Sequence, residues 1–160
     1  MKVKFIAIAA LGKDRQIGLN GKVPWIIPDE YQHYKNTVKG QYVLIGRKNF
    51  EMNGSDIEGA KPLVLTRHPY SHPNAMVFSS MEGIFEYAQD MEIEVIYVIG
   101  GGEIYNLTLT YLSEFLCSIV DYDGTADTYF PPYLFYEWEV INQEVHPEWT
   151  LYHMKKRPDF

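Results

Sequence analysis

A carboxylate stands where it could meet a flat heterocycle. The segment Pro24-Trp25-Ile26-Ile27-Pro28-Asp29-Glu30 puts two prolines around an apolar stretch and delivers Glu30 into the first turn of a helix. By itself an acid there needs no further explanation, because the helix dipole favours it. Its spacing adds something: Glu30 and Tyr34 are i, i+4 and share a helix face. A carboxylate beside aromatic rings is partly desolvated, and its pKa should rise. Such a group can anchor a cationic or amidine-like ring edge and help to protonate it.

Three further segments could hold phosphate. Gly100-Gly101-Gly102 follows the apolar run Val95–Ile99, and backbone amides at such a turn can cradle an anion. It is not the common dinucleotide fingerprint, which needs glycine where Tyr105 stands. A tight turn that packs strand against helix is an equally good reading. Gly46-Arg47-Lys48-Asn49 follows Tyr42–Gly46 and puts adjacent cations at a helix start, although a solvated basic turn has the same look. Thr66-Arg67 repeats the pattern after Pro62–Thr66. In parallel sheets ligands gather at the carboxyl ends of strands, so the three turns together point to one nucleotide site. Zinc and Ser-His-acid chemistry lack support: there is one cysteine, Cys117, the five histidines show no ligand spacing, and G-x-S-x-G is absent. No metal is expected.

The elements that must position these residues can be read coarsely. Strands are expected at Phe5–Leu11, Tyr42–Gly46, Pro62–Thr66, Ala75–Phe78, Val95–Ile99, Phe115–Val120, Trp138–Glu144 and Thr150–Lys156. Helices are expected at Asp29–Val38, Arg47–Met52, from Ser80 as N-cap to Asp90, and Glu103–Leu109. Gly12–Pro28 reads as a long irregular loop, a length that is usually functional; Asp121–Pro132 is a second loop, in which Asp127 and Thr128 read as turn-capping residues. Strands alternate with helices early and dominate late, which describes a mostly parallel α/β sheet with an antiparallel edge. The 160 residues carry no linker or repeat, so one domain, 1–160, is expected. The net charge of −7 argues against nucleic acid or an anionic membrane as partner. The single cysteine points to a reducing compartment, the cytoplasm. The apolar run near the N-terminus reads as a core strand, not a signal peptide, and no run approaches the roughly 18 residues of a membrane span.

Taken in order, Ile8-Ala9-Ala10, Asp14-Arg15-x-Ile17-Gly18, Pro24-Trp25, Pro28-x-Glu30, Gly46-Arg47, Gly100-Gly101-Gly102 with Ile104-Tyr105, and Asp127-Thr128-x-Phe130-Pro131 resemble the dihydrofolate reductase family. The resemblance runs from Phe5 to about Lys156. It implies a central sheet of about eight mostly parallel strands with a C-terminal antiparallel hairpin and about four flanking helices. It implies a monomer that reduces 7,8-dihydrofolate with NADPH. Glu30 matches the pocket carboxylate that holds the pterin's 2-amino group and N3 and assists protonation at N5. Ser118 stands where a threonine usually bridges that carboxylate and the 2-amino group, and Trp25 matches a tryptophan that orders a nearby water. Ile8, Ala10, Tyr31, Tyr34, Lys35 and Ile57 fall at substrate contacts, with Ile99 and Tyr105 where pterin meets nicotinamide. Gly18–Val23 matches a mobile loop and Asp127 its partner. Arg47, Lys48, Asn49, Gly101 and Gly102 match the cofactor phosphate sites, and Arg67 the reader of the adenosine 2′-phosphate. Ala10, Ile17, Gly18, Gly46, Thr66, Gly100, Glu103, Ile104, Tyr105 and Thr128 complete the implied cofactor surface.

Departures from the family pattern concern the far end of the substrate. Ala60 replaces the arginine expected to grip the glutamate tail, with Lys61 or Lys35 as weaker point-charge substitutes. Tyr31 and Asn53 replace apolar residues, and Glu103 replaces a position that is often basic. These leave two alternatives to dihydrofolate reduction: a same-fold reductase acting on a pterin or pyrimidine without a tail, and a binding module that has lost catalysis.

Overall fold

The computed structural model describes residues 2–133 and 135–159, apart from the Phe135 side chain. Among the described residues ten strands and four α-helices follow one another as β1 (Lys4–Leu11), β2 (Gln16–Gly18), α1 (Pro28–Val38), β3 (Tyr42–Gly46), α2 (Arg47–Asn53), β4 (Lys61–Leu65), β5 (Met76–Phe78), α3 (Met81–Asp90), β6 (Val95–Gly100), α4 (Gly102–Thr108), β7 (Leu112–Val120), β8 (Thr128–Tyr129), β9 (Trp138–Val145) and β10 (Trp149–Lys156). Eight strands form one sheet in the order β5-β4-β3-β6-β1-β7-β10-β9. It is parallel from β5 through β7, and β10 runs antiparallel between β7 and β9. The expected mostly parallel sheet with an antiparallel C-terminal hairpin and four helices is the observed one.

Alternation along the strands divides the core in two. Phe5, Ala7, Ala9 and Leu11 of β1 point to one face and pack with Ile84 of α3, Ile104 and Tyr105 of α4, and Phe115 and Phe130. Ile8 points to the other face with Val43, Ile45 and Val64, beneath Val38 of α1 and Phe50 of α2. A sheet covered on both sides explains why its inner strands read as continuous apolar runs. The β9 edge is different: only Trp138 is buried, and Glu139, Asn142, Gln143 and Glu144 keep it polar.

Local signals set the helix ends. Pro28 opens α1, Asp29 and Glu30 lie in its first turn, and no side chain caps it. Ser80 caps α3 through a bond from the Gly83 amide. Three expectations shift. The loop 12–28 is not wholly irregular, since β2 within it pairs antiparallel with β8 from the later loop. β7 begins at Leu112, earlier than the apolar run Phe115–Val120, because Glu114 interrupts that run yet is held by Lys4 at 2.8 Å and His153 at 2.7 Å. The helix expected at Glu103–Leu109 starts at Gly102 and gives way to a 3-10 turn at Leu109.

Candidate active site

A cavity of about 1270 Å³ opens at the carboxyl ends of β1, β3, β4 and β6. α1 supplies one wall with Glu30, Tyr31 and Tyr34. β1 and β6 supply the floor with Ile8, Ala9, Ala10 and Ile99. The turns after β3, β4 and β6 bring Gly46, Arg47, Lys48, Asn49, Thr66, Arg67, Gly101, Gly102 and Glu103 to the other side.

Glu30 is 8% exposed, and no hydrogen bond to its carboxylate is found among the described residues. Burial first, and the charge of Asp29 second, push its carboxyl up to about 7. The segment that delivers it is pinned from outside the cavity: Ile27 packs with Trp149, Val120 and Leu151, and the Trp149 indole donates to Asp29 Oδ2 at 2.9 Å. Trp25 also lines the cavity, with its ring 5.4 Å from that of Tyr122. Tyr34 is half-buried, and burial raises its phenol pKa. Tyr105 is 4% exposed and donates to the Ile8 carbonyl at 2.7 Å, which ties α4 to β1; burial holds its proton tightly, so it serves the wall rather than proton exchange.

The strand-to-helix turn at β6 requires glycine. Gly100 has φ of +99°, and a Cβ there would lie 2.7 Å from the Tyr105 ring. A Cβ on Gly101 would meet nothing within 4 Å, so the backbone there borders open space. Arg47 is paired with Glu51 at 2.9 Å through Nη1, while its Nε is buried with no hydrogen-bond partner. Arg67 is paired with Glu103 at 2.9 Å across the cavity's outer edge.

The segment 18–23 borders the cavity. Leu19 and Lys22 bond to each other around Asn20-Gly21, both with positive φ, a two-residue hairpin turn that this dipeptide favours. Asp127 holds one side: its Oδ2 accepts from the Asn20 amide at 2.9 Å and its own amide donates to the Gly18 carbonyl at 3.0 Å. Asn53 holds the other, its Nδ2 donating to the Gly21 carbonyl and to Asn49 Oδ1, each at 2.9 Å. The loop and partner anticipated from sequence are thus in contact.

Most of the residues singled out from the sequence line this cavity, including Ile17, Gly18, Ile57, Ile104 and Thr128. Ser118, Lys35 and Gly100 do not. Ser118 is buried in β7 as the register partner of Ala10, beside it in the sheet. Lys35 is turned over the Tyr31 ring, 5.3 Å from its centroid. Gly100 lies beneath the turn that Gly101 and Gly102 present. The lining also contains residues that sequence reasoning missed, among them Asp56, Met52, Ser79 and Ser80. Ser79-Ser80 follows β5 and was reachable by the strand-end rule that found the other turns; Asp56 sits in a short 3-10 turn with no motif to mark it. Among the described residues no three His, Cys, Asp or Glu side chains converge as metal ligands, and no helix is long and apolar enough to cross a membrane.

The family model described as dihydrofolate reductase matches residues 4–155. The chain belongs to the dihydrofolate reductase family. Among its relatives, dihydrofolate reductase type A13 of Escherichia coli is 31% identical over 143 residues, which are 89% of this chain and 86% of that protein. Dihydrofolate reductase type 3 of Salmonella typhimurium is 30% identical over 141 residues, with 88% and 86% covered. The solved structure of the Enterococcus faecalis dihydrofolate reductase, in complex with NADP(H) and RAB-propyl, superposes with a TM-score of 0.85. It covers 99% of this chain and 100% of that one at 24% identity, a likeness that concerns the fold. A dihydrofolate reductase fold therefore frames the cavity, with Glu30 on its inner wall.

Proposed function

We infer that the protein reduces 7,8-dihydrofolate to 5,6,7,8-tetrahydrofolate at the expense of NADPH. Family membership supports the reaction, and the observation that carries the assignment to this cavity is Glu30: a buried carboxylate, titrating near neutrality, on the wall facing away from the basic turns. A polyphosphate nucleotide fits those turns, since Gly101 borders open space and Arg47 has an unsatisfied buried donor. Arg47, Lys48, Asn49, Thr66, Arg67, Ser80, Gly101 and Gly102 are the residues proposed to hold it. Bound NADPH supplies the hydride.

The chain's own residues do the rest. Glu30 binds the 2-amino and N3 edge of the pterin, which orients C6 toward the nicotinamide side of the cavity. Hydride arrives at C6, the C6=N5 bond becomes single, and N5 takes a proton. With its carboxyl pushed up to about 7, Glu30 keeps a proton to deliver near neutral pH where an ordinary carboxylate would not. Ile8, Ala10, Tyr34, Ile57 and Ile99 keep the rings in a dry slot, and the lid of residues 18–23 excludes water during transfer.

We further propose that residues 1–160 act as one unit, a cytoplasmic monomer in one-carbon metabolism, with the small substrate and NADPH as its ligands. NADPH oxidation at 340 nm with and without dihydrofolate tests the reaction. Glu30→Gln should lower kcat at least a hundredfold near pH 7, in the range typical of a lost general acid. Turnover equal to the parent's would remove Glu30 from its assigned role.

A further inference from the structure

α1 opens at Pro28 with Ile27 at the capping position and no side-chain cap. Its first turn, which carries Asp29 and Glu30, therefore takes its hold from elsewhere in the fold. That hold comes from the last hairpin. Trp149 of β10 is 5% exposed, packs with Ile27 and donates its indole N–H to Asp29 Oδ2 at 2.9 Å. The indole is itself fixed. The His146 amide donates to the Trp149 carbonyl at 2.8 Å across the hairpin turn, and the His146 ring stacks on the indole with centroids 4.1 Å and planes 5° apart. The His33 ring of α1 lies 5.6 Å away.

We propose that Trp149 is a positioning residue for the reduction: through Asp29 and Ile27 it fixes the first turn of α1, and so sets where the Glu30 carboxyl sits in the cavity wall and how far water reaches it. The inference rests on the reduction proposed above. The charges around Glu30 make this placement readable. Asp29 and Tyr34 act on it from α1 and Tyr105 from α4. Burial keeps both phenols protonated, which leaves Asp29 as the charge among these three. Lys22 and Asp56 also line the cavity, where they engage Asn53 and Tyr31. On the hairpin side His146 Nδ1 is 3.9 Å from Asp29 Oδ2, and Glu144 acts on His33, whose pKa burial lowers. The Trp149 bond holds the Asp29 carboxyl below its usual range, so Asp29 is ionised while Glu30 titrates. Releasing Asp29 weakens its action on Glu30, and releasing the turn admits water to the carboxyl. Both changes lower the pH at which Glu30 gives up its proton.

The test follows the Glu30 carboxyl by carbon NMR in the unliganded protein, and kcat/KM for dihydrofolate against pH. It compares the parent with Trp149→Phe, Asp29→Asn, Asp29→Ala and the double variant of Trp149→Phe with Asp29→Ala. Phenylalanine keeps an apolar ring against Ile27 and loses the donor. Asparagine keeps an acceptor for the indole and loses the charge; alanine loses both. Asp29→Asn and Trp149→Phe should each lower the Glu30 midpoint by about half a unit, the size of a screened interaction between neighbouring charges. Asp29→Ala should lower it further, and adding Trp149→Phe to Asp29→Ala should change nothing more. In Trp149→Phe, kcat/KM should fall about threefold at pH 8.5 and match the parent at pH 5.5, where Glu30 is protonated in both. An equal fall at both pH values, an unmoved midpoint, or full addition to the effect of Asp29→Ala would overturn the proposal. Should Trp149→Phe not fold, the two variants of the exposed Asp29 decide: equal midpoints in Asp29→Asn and Asp29→Ala would overturn it. Absence of turnover by the parent would remove the reductase reading, while the NMR titration still decides whether Trp149 places Glu30.

Discussion

Replacing Glu30 by glutamine should stabilise the unliganded protein, and only above a definite pH. Folding raises the Glu30 carboxyl from 4.5 to about 7, with burial the larger cause and Asp29 the smaller. The native state therefore holds this proton more tightly than the unfolded chain. That contribution is fully present below pH 4.5 and is lost as pH rises through 7, because the native carboxylate must then ionise in its buried place. A shift of this size corresponds to about 3 kcal/mol. Glutamine cannot ionise, so the variant escapes the loss. Its buried amide brings a cost of its own, but one that does not vary with pH. The difference in Tm between variant and parent should thus move in favour of the variant between pH 5 and pH 8.5, by about 6–12 °C for a chain of this size. Thermal melts by circular dichroism at closely spaced pH values, without ligand, give the measurement. A difference that stays constant over this range would mean that Glu30 is not desolvated, and the proton-delivery argument would fall with it.

Other perturbations read different parts of the molecule. Glu103 occupies Arg67 through an exposed ion pair; Glu103→Gln should lower the NADPH KM about threefold and leave the NADH KM unchanged, so equal effects on both cofactors would rule out competition for a 2′-phosphate. Asp127→Ala removes the bonds to the Asn20 amide and Thr128 hydroxyl, and should speed tryptic cleavage after Lys22; an unchanged cleavage rate would show that the lid does not depend on this anchor. For Glu114, burial alone would raise the carboxyl pKa, but the bonds from Lys4 and His153 outweigh it and the net direction is downward. Its contribution is present above the unfolded carboxylate pKa and lost as pH falls through the lower native value. Glu114→Gln should therefore cost about 1 kcal/mol in urea melts at pH 7 and progressively less at acid pH.

Glu30 was legible because its signals are local and agree: a proline at the helix start, an acid in the first turn, and an aromatic residue four positions on. The strands were legible because burial on both faces leaves uninterrupted apolar runs, and where a buried charge breaks the run, as at Glu114, the boundary was missed. The basic turns followed from one rule about strand ends, which applied equally to Ser79-Ser80. Asn20-Gly21 carries a hairpin signal in plain view and marks the lid tip. What the sequence could not reveal is pairing across the cavity. Tyr31 with Asp56 and Asn53 with Gly21 join segments about 25 and 32 residues apart, and no local pattern encodes such contacts. Ser118, singled out for the pocket, is buried in the sheet beside Ala10 and is not among the lining residues.

The two polar departures from the family pattern, Tyr31 and Asn53, do related work once their partners are known. Each places a hydrogen bond across an edge of the cavity where an apolar side chain would only have packed. Asn53 joins the loop 19–22 to α2, so that loop is held by directed bonds from this side as well as from Asp127. Tyr31 fixes the Asp56 carboxylate at the cavity's edge beside α1. Meanwhile Arg47 and Arg67 each already hold a carboxylate. Two cations of the cavity are thus already partnered, and an anion entering there would compete with Glu51 and Glu103 for them.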